Sequence, residues 1–211
     1  MRVMKRYTVS VREPDPATIA EVAAIVRGGG VVAFPTDTLY GLAVDPRTDE
    51  AVERLFDVKG READVAVPLI AADIDQAREA GTFGDIELRL ARAFWPGPLT
   101  IVVAASPSVS RRVLGRGNTV GIRVPAHEVA TALCRSAATC LTATSANPSG
   151  KPAPASVGGI DPELIARIDA VLDAGPAPGG PPSTIVAIVS GRPQLVRAGA
   201  IAWDRVLESL E

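Results

Sequence analysis

The stretch VVAFPTDTLYGLAVD, residues 31–45, begins as an apolar run and becomes polar within a few positions. Residues 31–34 are Val, Val, Ala and Phe, a composition that predicts a strand buried in the core. Residues 35–38, Pro-Thr-Asp-Thr, follow directly as a polar turn. Hydroxyl and carboxylate groups in such a place either hold a tight turn through side-chain hydrogen bonds or form one wall of a binding site.

Helix and strand patterns alternate on both sides of this strand. Upstream, Asp15-Pro16 predicts the start of a helix, and three glycines at residues 28–30 predict its end. The apolar residues of this helix share one face, namely Ile19, Val22, Ala23 and Val26.

Caps, apolar spacing and Gly or Pro breaks predict the remaining elements. Helices are predicted at about residues 48–59, 73–80, 85–95, 126–135 and 162–168. Strands are predicted at about residues 67–71, 99–104, 120–124, 140–143, 184–189 and 194–198.

The alternation of strands and helices predicts an α/β fold. Residues 190–193, Ser-Gly-Arg-Pro, predict a hairpin turn between the last two strands, and a hairpin requires antiparallel pairing. With 211 residues and a hydrophobic content of 47%, the chain can bury one sizeable core. We therefore predict a single α/β domain over residues 1–211, with a twisted mixed sheet, parallel and antiparallel, flanked by helices.

Charge and hydropathy argue against several classes of function. With 22 Lys and Arg against 24 Asp and Glu, the chain has no overall field that would favour nucleic acid or a membrane surface. Its apolar stretches are interrupted before the roughly 18 residues that a membrane span needs, and residues 1–6 lack an apolar signal core. We expect a cytoplasmic protein without membrane contact.

Histidine and cysteine are too scarce for most sites that depend on them. The chain has one histidine, His127, and two cysteines, Cys134 and Cys140, without further partners at metal-ligand spacing. A zinc site, a Cys-His nucleophile or a Ser-His-Asp triad is therefore hard to build. His127 is expected at the surface, in the first turn of a helix.

Polar side chains recur at or just after the carboxyl ends of predicted strands. The polar turn follows one strand, Arg123 lies near the end of another, and residues 144–147, Thr-Ser-Ala-Asn, follow a third. In α/β sheets, loops at these ends converge on one ligand, so the pattern predicts a binding site. Taken singly, each segment also suits an ordinary turn or loop, and residues 59–61, Lys-Gly-Arg, also suit a helix C-terminus.

Seven short motifs, in order along the chain, resemble those of a known family. They are FPTDTLYGL at 34–42, KGR at 59–61, PLI at 68–70, WPGPLT at 95–100, GIRVP at 121–125, TSANPSG at 144–150 and PSTIV at 182–186. Each motif is weak alone, but their ordered combination between about residues 12 and 200 is specific. On these motifs the chain resembles the YrdC-type L-threonylcarbamoyladenylate synthases.

The resemblance implies a reaction in two stages. L-threonine takes up bicarbonate or CO₂ to form a carbamate, which attacks the α-phosphate of ATP and yields threonylcarbamoyl-AMP and pyrophosphate. ATP is then a substrate, and Mg²⁺ is expected to arrive with the nucleotide and not in a metal site of the protein. A downstream tRNA threonylcarbamoyl transferase would use the product, and direct tRNA binding is expected to be weak or absent because the net charge is −2.

The resemblance also assigns roles to residues. The assigned catalytic pair is Lys59 and Arg61, which meet the phosphates. The positions assigned to L-threonine are Thr38, Arg123, Ala143 and Ser183. The positions assigned to ATP are Arg61, Thr119, Ser145, Asn147, Ala153 and Arg197.

Three positions depart from the family pattern, which often has proline, a polar residue and histidine where this chain has Glu62, Val67 and Ala72. Two other functions stay open at the level of sequence. One is carbamoyl transfer through a carbamoyl-adenylate, as in related domains of larger hydrogenase maturation proteins. The other is a non-catalytic RNA-binding module.

Overall fold

Local sequence signals set the first helix, α1 (Pro16–Arg27). The Asp15 carboxylate caps it by accepting a hydrogen bond from the backbone N–H of Thr18 at 2.9 Å. The helix ends at Gly28, the first of the three glycines. The predicted apolar face is confirmed, because the helix buries Ile19, Val22, Ala23 and Val26.

The computed structural model describes residues 4–60 and 65–211. The further helices in this range are α2 (Asp49–Lys59), α3 (Ile74–Ala80), α4 (Asp85–Phe94), α5 (Glu128–Ala137), α6 (Pro162–Ile165) and α7 (Trp203–Glu208). The strands are β1 (Lys5–Thr8), β2 (Val32–Phe34), β3 (Gly41–Ala43), β4 (Leu69–Ile70), β5 (Gly81–Thr82), β6 (Leu99–Ala105), β7 (Thr119–Arg123), β8 (Leu141–Thr142), β9 (Thr144–Ser145), β10 (Ala170–Asp173), β11 (Thr184–Val189) and β12 (Arg192–Arg197).

The described strands form two mixed sheets. The first has the order β1-β10-β2-β3-β9, with β1, β10 and β2 parallel and the other pairs antiparallel. The second has the order β12-β11-β6-β7-β4-β8, and β5 pairs with β6 at its side. The predicted α/β fold with parallel and antiparallel pairing is confirmed, but its strands are shared between two sheets where the sequence suggested one.

The chain passes from the second sheet to the first at Ala143. The strand predicted at residues 140–143 is short, because β8 pairs with β4 in the second sheet and β9 pairs with β3 in the first. Ala143 lies between the two strands, where the chain passes from one sheet to the other. The 144–150 loop, TSANPSG, begins in β9 and is thereby placed at the junction of the sheets.

The predicted hairpin is confirmed, and its turn is tighter than expected. β11 and β12 are antiparallel and are joined by Ser190 and Gly191 alone. These two residues have φ angles of 51° and 74°, as two-residue hairpin turns with matching twist require.

Two apolar cores hold the sheets to the helices. One core lies mainly among α2, α4 and the second sheet and contains Leu55, Leu90 and Ile101. The other contains Val22 of α1 and Leu133 of α5, two helices that pack against each other. Within residues 4–60 and 65–211, the helices are all too short or too polar to cross a bilayer.

Candidate active site

A cavity of about 710 Å³ lies on one face of the second sheet. Thr119, Gly121 and Arg123 of β7 line it, together with Thr100 and Val102 of β6. Alternate residues of a strand point to the same face, so one side of each strand lines the cavity while the other side faces the core. The site therefore extends across the face of the sheet, whereas the strand pattern predicted it at or just beyond the carboxyl ends of the strands.

The polar turn is both a hydrogen-bonded turn and a wall of the cavity. The Thr36 hydroxyl donates to the carbonyl oxygen of Leu39 at 2.7 Å and accepts from the backbone N–H of Thr38 at 3.2 Å. The hydroxyls of Thr36 and Thr38 lie 3.1 Å apart, and both residues line the cavity. The two interpretations of this segment are thus compatible, because the local hydrogen bonds fix the wall.

Residues 174–182 pack against the polar turn. The backbone N–H of Gly179 donates to the carbonyl oxygen of Thr38 at 2.9 Å. The Tyr40 hydroxyl donates to the carbonyl oxygen of Gly175 at 2.6 Å, and burial raises the pKa of Tyr40 to about 12. Tyr40 is therefore a neutral donor that ties this Gly- and Pro-rich loop to the wall of the cavity.

Arg123 is a buried cation at the cavity. Its side chain is 8% exposed, and its Nη1 atom donates to the Oδ1 atom of Asp37, whose side chain is 9% exposed. Among the described residues, Asp37 is the one hydrogen-bonding partner of this guanidinium. Four of its five N–H groups are left for a group that enters the cavity.

A β-bulge turns Arg197 toward the cavity. Ile185 pairs with Arg197 and Val186 pairs with Leu195, so Val196 is an extra residue on β12. Val196 and Arg197 both line the cavity. Burial, together with the charge of Arg123, lowers the pKa of Arg197, which indicates that the two guanidinium groups lie close enough to repel each other.

Ser183 connects β12 with β6 at the cavity. Arg197 Nη2 donates to the Ser183 carbonyl oxygen at 2.7 Å and to its hydroxyl at 3.1 Å. The Ser183 hydroxyl also lies 2.8 Å from the hydroxyl of Thr100, which is only 2% exposed. A continuous hydrogen-bonded chain therefore runs from the guanidinium of Arg197 to the sheet floor.

Lys59 holds the 144–150 loop through hydrogen bonds to the backbone of the loop. It is the last residue of α2, before Gly60 in the left-handed conformation, and it is 4% exposed. Its Nζ atom donates to the carbonyl oxygens of Ser145 and, at 2.8 Å, Asn147. The Asn147 side chain donates to the carbonyl oxygen of Pro148 at 3.0 Å. Lys59 and Asn147 thus shape the loop, whereas Ser145 reaches the cavity.

The structure brings most of the predicted site residues to one cavity. Those that line it are Thr38, Thr119, Arg123, Ala143, Ser145, Ala153, Ser183 and Arg197. Lys59 and Asn147 are absent from the described lining; Asn147 belongs to the 144–150 loop, and Lys59 donates to its carbonyl oxygen. Arg61 and Glu62 lie outside the described residues.

Sequence reasoning placed Thr36 and Asp37 in a possible wall of the site but gave neither residue a role of its own, and it missed Thr100. Thr36 and Thr100 line the cavity, and Asp37 contacts Arg123 directly. Thr100 ends a recognised motif, but only its pairing with distant strands shows that its hydroxyl faces the cavity. Of the positions that depart from the family pattern, Val67 and Ala72 are both buried.

The remaining titratable groups of note do not resemble nucleophiles. His127 occupies the N-cap position of α5 without a side-chain capping bond and is half-buried, whereas the sequence predicted a surface residue in the first turn. Burial lowers the pKa of His127, and burial raises that of the Cys140 thiol to about 12 and that of Cys134 well above its usual value. Residues 4–60 and 65–211 hold no group of three acidic, His or Cys side chains suited to a metal ion.

Sequence comparisons relate the chain to one family. The model of the Sua5/YciO/YrdC family, described as Telomere recombination, matches residues 24–199. A threonylcarbamoyl-AMP synthase of Bacillus subtilis (strain 168) is 36% identical over 208 residues, which cover 96% of this chain and 60% of that protein. A threonylcarbamoyl-AMP synthase of Halorhodospira halophila is 41% identical over 158 residues, which cover 74% of this chain and 83% of that protein.

A structural comparison gives the same relation. The crystal structure of Pyrococcus abyssi Sua5 complexed with L-threonine matches with a TM-score of 0.90 and 32% sequence identity, over 99% of this chain and 61% of that one. The chain spans about 60% of the length of the B. subtilis and P. abyssi relatives.

Proposed function

The chain belongs to the Sua5/YciO/YrdC family, and we propose that within this family it is an L-threonylcarbamoyladenylate synthase. The proposed reaction converts L-threonine, bicarbonate and ATP into threonylcarbamoyl-AMP, pyrophosphate and water. Relatives that carry this name support the proposal, including one that the chain matches over 83% of its length. We expect the reaction to take place in the cytoplasm, where its product would serve tRNA modification.

The observation that carries the proposal is the buried guanidinium of Arg123 at the cavity. A buried cation whose remaining N–H groups face open space is suited to bind an anion. The planar fork of arginine matches both oxygens of a carboxylate, as an amino acid presents them. Thr38, Ala143 and Ser183 line the same cavity and offer hydroxyl and backbone groups to the rest of a threonine molecule.

Further residues of the cavity lining suit a nucleotide. Arg197, Thr119, Ser145 and Ala153 line it, and the exposed side chain of Val196 adds apolar surface. Arg61 is proposed to meet the phosphates on the strength of the family resemblance. We expect Mg²⁺ to enter as a counter-ion of ATP.

The proposed chemistry needs positioning more than covalent catalysis. The amino nitrogen of threonine bonds to the carbon of bicarbonate or CO₂ and loses a proton, and with bicarbonate one water leaves. A carbamate oxygen then bonds to the α-phosphorus of ATP while the bond to the β-phosphate oxygen breaks and pyrophosphate departs. Fixed cations around the phosphates can supply most of the catalysis, so a nucleophilic His or Cys is unnecessary.

A product assay tests the proposal. Pyrophosphate release is measured with ATP and bicarbonate in the presence of threonine, of serine or of no amino acid, and the adenylate product is identified by mass spectrometry. We expect release to require threonine and bicarbonate together. Equal release without threonine would favour carbamoyl-adenylate chemistry or plain ATP hydrolysis.

The RNA-binding alternative is tested by titrating tRNA at several salt concentrations. A chain that releases no pyrophosphate but binds tRNA with a steep dependence on salt would be an RNA-binding module. With a net charge of −2, we expect direct tRNA binding to be weak or absent, so that a separate transferase would carry the product to tRNA.

A further inference from the structure

We propose that Asp37 is a positioning residue for the amino-acid substrate, because it orients the guanidinium of Arg123 toward the cavity. Arg123 lines the cavity, whereas Asp37 contacts Arg123 and is absent from the described lining. This role rests on the proposed function, and the comparisons assign nothing to Asp37.

Asp37 is held by a rigid piece of backbone. It lies between Thr36 and Thr38, and the Thr36 hydroxyl accepts from the N–H groups of both Thr38 and Leu39 at 3.2 Å. The Asp37 carboxylate is therefore presented from a fixed turn. Since turn geometry limits where its oxygens can lie, Asp37 can act as a reference point for a long, flexible arginine side chain.

The ion pair joins the two sheets across the site. Asp37 belongs to the connection between β2 and β3 in the first sheet, and Arg123 ends β7 in the second sheet. The two residues are 86 positions apart in the chain. The contact between Asp37 and Arg123 thus fixes the position of the cavity wall relative to the floor of the cavity.

The pairing leaves Arg123 competent to bind a second anion. Asp37 engages Nη1, so the Nε and Nη2 atoms keep their N–H groups for the cavity. A buried guanidinium without any counter-ion would be costly to keep charged in the free protein. One carboxylate offsets this cost while it leaves an open side for the substrate carboxylate.

The Asp37 carboxylate has no other hydrogen-bonding task in the described part of the chain. Its Oδ2 atom is buried and lacks a donor among those residues. The buried Asp45, by contrast, accepts hydrogen bonds from Arg47 with both of its carboxylate oxygens. The contacts of Asp37 instead indicate that its task is to fix Arg123.

The test is the substitution Asp37→Asn, which keeps the shape and removes the charge. Binding of L-threonine and of a non-hydrolysable ATP analogue is measured by calorimetry. We expect the affinity for threonine to fall about tenfold or more and the affinity for the analogue to change by less than about threefold. Asp37→Glu, which keeps the charge, should recover part of the threonine affinity.

A matched control is Asp45→Asn. Asp45 is also a buried aspartate, with a side chain 7% exposed, and it pairs with Arg47 at 2.7 Å outside the described lining of the cavity. It should affect stability without selective loss of threonine binding. Equal losses for both ligands in Asp37→Asn, or the same loss in Asp45→Asn, would reduce Asp37 to a structural role.

A measurement on the unchanged protein covers the case in which Asp37→Asn does not fold. Nitrogen-15 NMR reports rotation of the Arg123 guanidinium about its Nε–Cζ bond, with Arg123→Lys used to assign the signal. We expect slow rotation before any ligand is added, and fast rotation would overturn the proposal. If the wild-type protein fails to bind threonine, both the proposed function and the role of Asp37 are wrong. Normal binding that is indifferent to Asp37 would overturn this role alone.

Discussion

Arg197 Nη2 donates to the carbonyl oxygen of Ser183 at 2.7 Å, so a residue assigned to ATP holds a residue assigned to threonine. The contact reaches from β12 to the start of β11, and it continues to the sheet floor through the 2.8 Å contact between the hydroxyls of Ser183 and Thr100. A ligand that moves Arg197 therefore also moves the surface offered to the other ligand. This makes the two halves of the cavity physically dependent on each other.

We expect ATP and threonine to bind cooperatively through Arg197. A nucleotide analogue should raise the affinity for threonine by roughly five- to tenfold, and threonine should raise the affinity for the analogue by the same factor. Arg197→Met removes the contact with Ser183 and should abolish this coupling. Calorimetric titrations with each ligand alone and in the presence of the other measure it. An unchanged coupling factor in Arg197→Met would show that Ser183 does not transmit it.

Thr100→Val should weaken threonine binding. The substitution removes a buried hydroxyl at nearly constant volume, so the Ser183 hydroxyl loses a partner 2.8 Å away. We expect a loss of about 1 kcal/mol, or roughly fivefold in affinity, from one lost hydrogen bond. Thr100→Ser keeps the hydroxyl and is the control, which should bind threonine almost normally. Equal affinities in Val and Ser variants would contradict the role.

Arg123→Lys should separate the two ligands. Lysine keeps the positive charge but loses the bidentate fork, so threonine affinity should fall by about tenfold or more. The affinity for an ATP analogue should change by less than about threefold. Calorimetric titration of each ligand into both proteins measures the two affinities. A loss of equal size for both would indicate that Arg123 serves the structure of the cavity and not the carboxylate.

Lys59→Met should destabilise the protein through the 144–150 loop. The substitution leaves the carbonyl oxygens of Ser145 and Asn147 without the ammonium that donates to both. We expect the free energy of unfolding, measured by urea denaturation, to fall by about 2–3 kcal/mol. Lys151→Met is the control, because the Lys151 ammonium pairs with Asp161 at 2.7 Å in an exposed, solvent-screened position and should contribute much less to stability. Equal effects would contradict the role of Lys59.

Stability should fall as the solution is acidified through the range in which His127 titrates. Burial lowers the pKa of His127, although Asp37 and Glu128 oppose this. Below the pKa of about 6.5 of an unfolded histidine, the unfolded chain binds a proton that the folded chain binds only at lower pH. His127→Gln should remove this contribution, so the difference in unfolding free energy between the two proteins should change across this range. A constant difference would contradict the assignment.

The sequence alone determined the elements that depend on neighbours in the chain. Asp15 and the glycines at 28–30 set the bounds of α1, and Ser190-Gly191 produced the predicted hairpin. The ordered motifs also pointed to the family and to eight residues that line one cavity. These features could be predicted because caps, turn residues and apolar spacing act over a few positions.

Only the tertiary structure decided how the sheets and the cavity are assembled. The passage of the chain between sheets at Ala143 and the extra residue Val196 on β12 depend on which strands pair, and that pairing is set by contacts across the fold. Asp37 meets Arg123 across 86 positions, and Thr100 meets Ser183 across 83. No local pattern encodes these contacts, because a side chain's partner across a fold is fixed by the packing of whole elements and not by its neighbours in sequence.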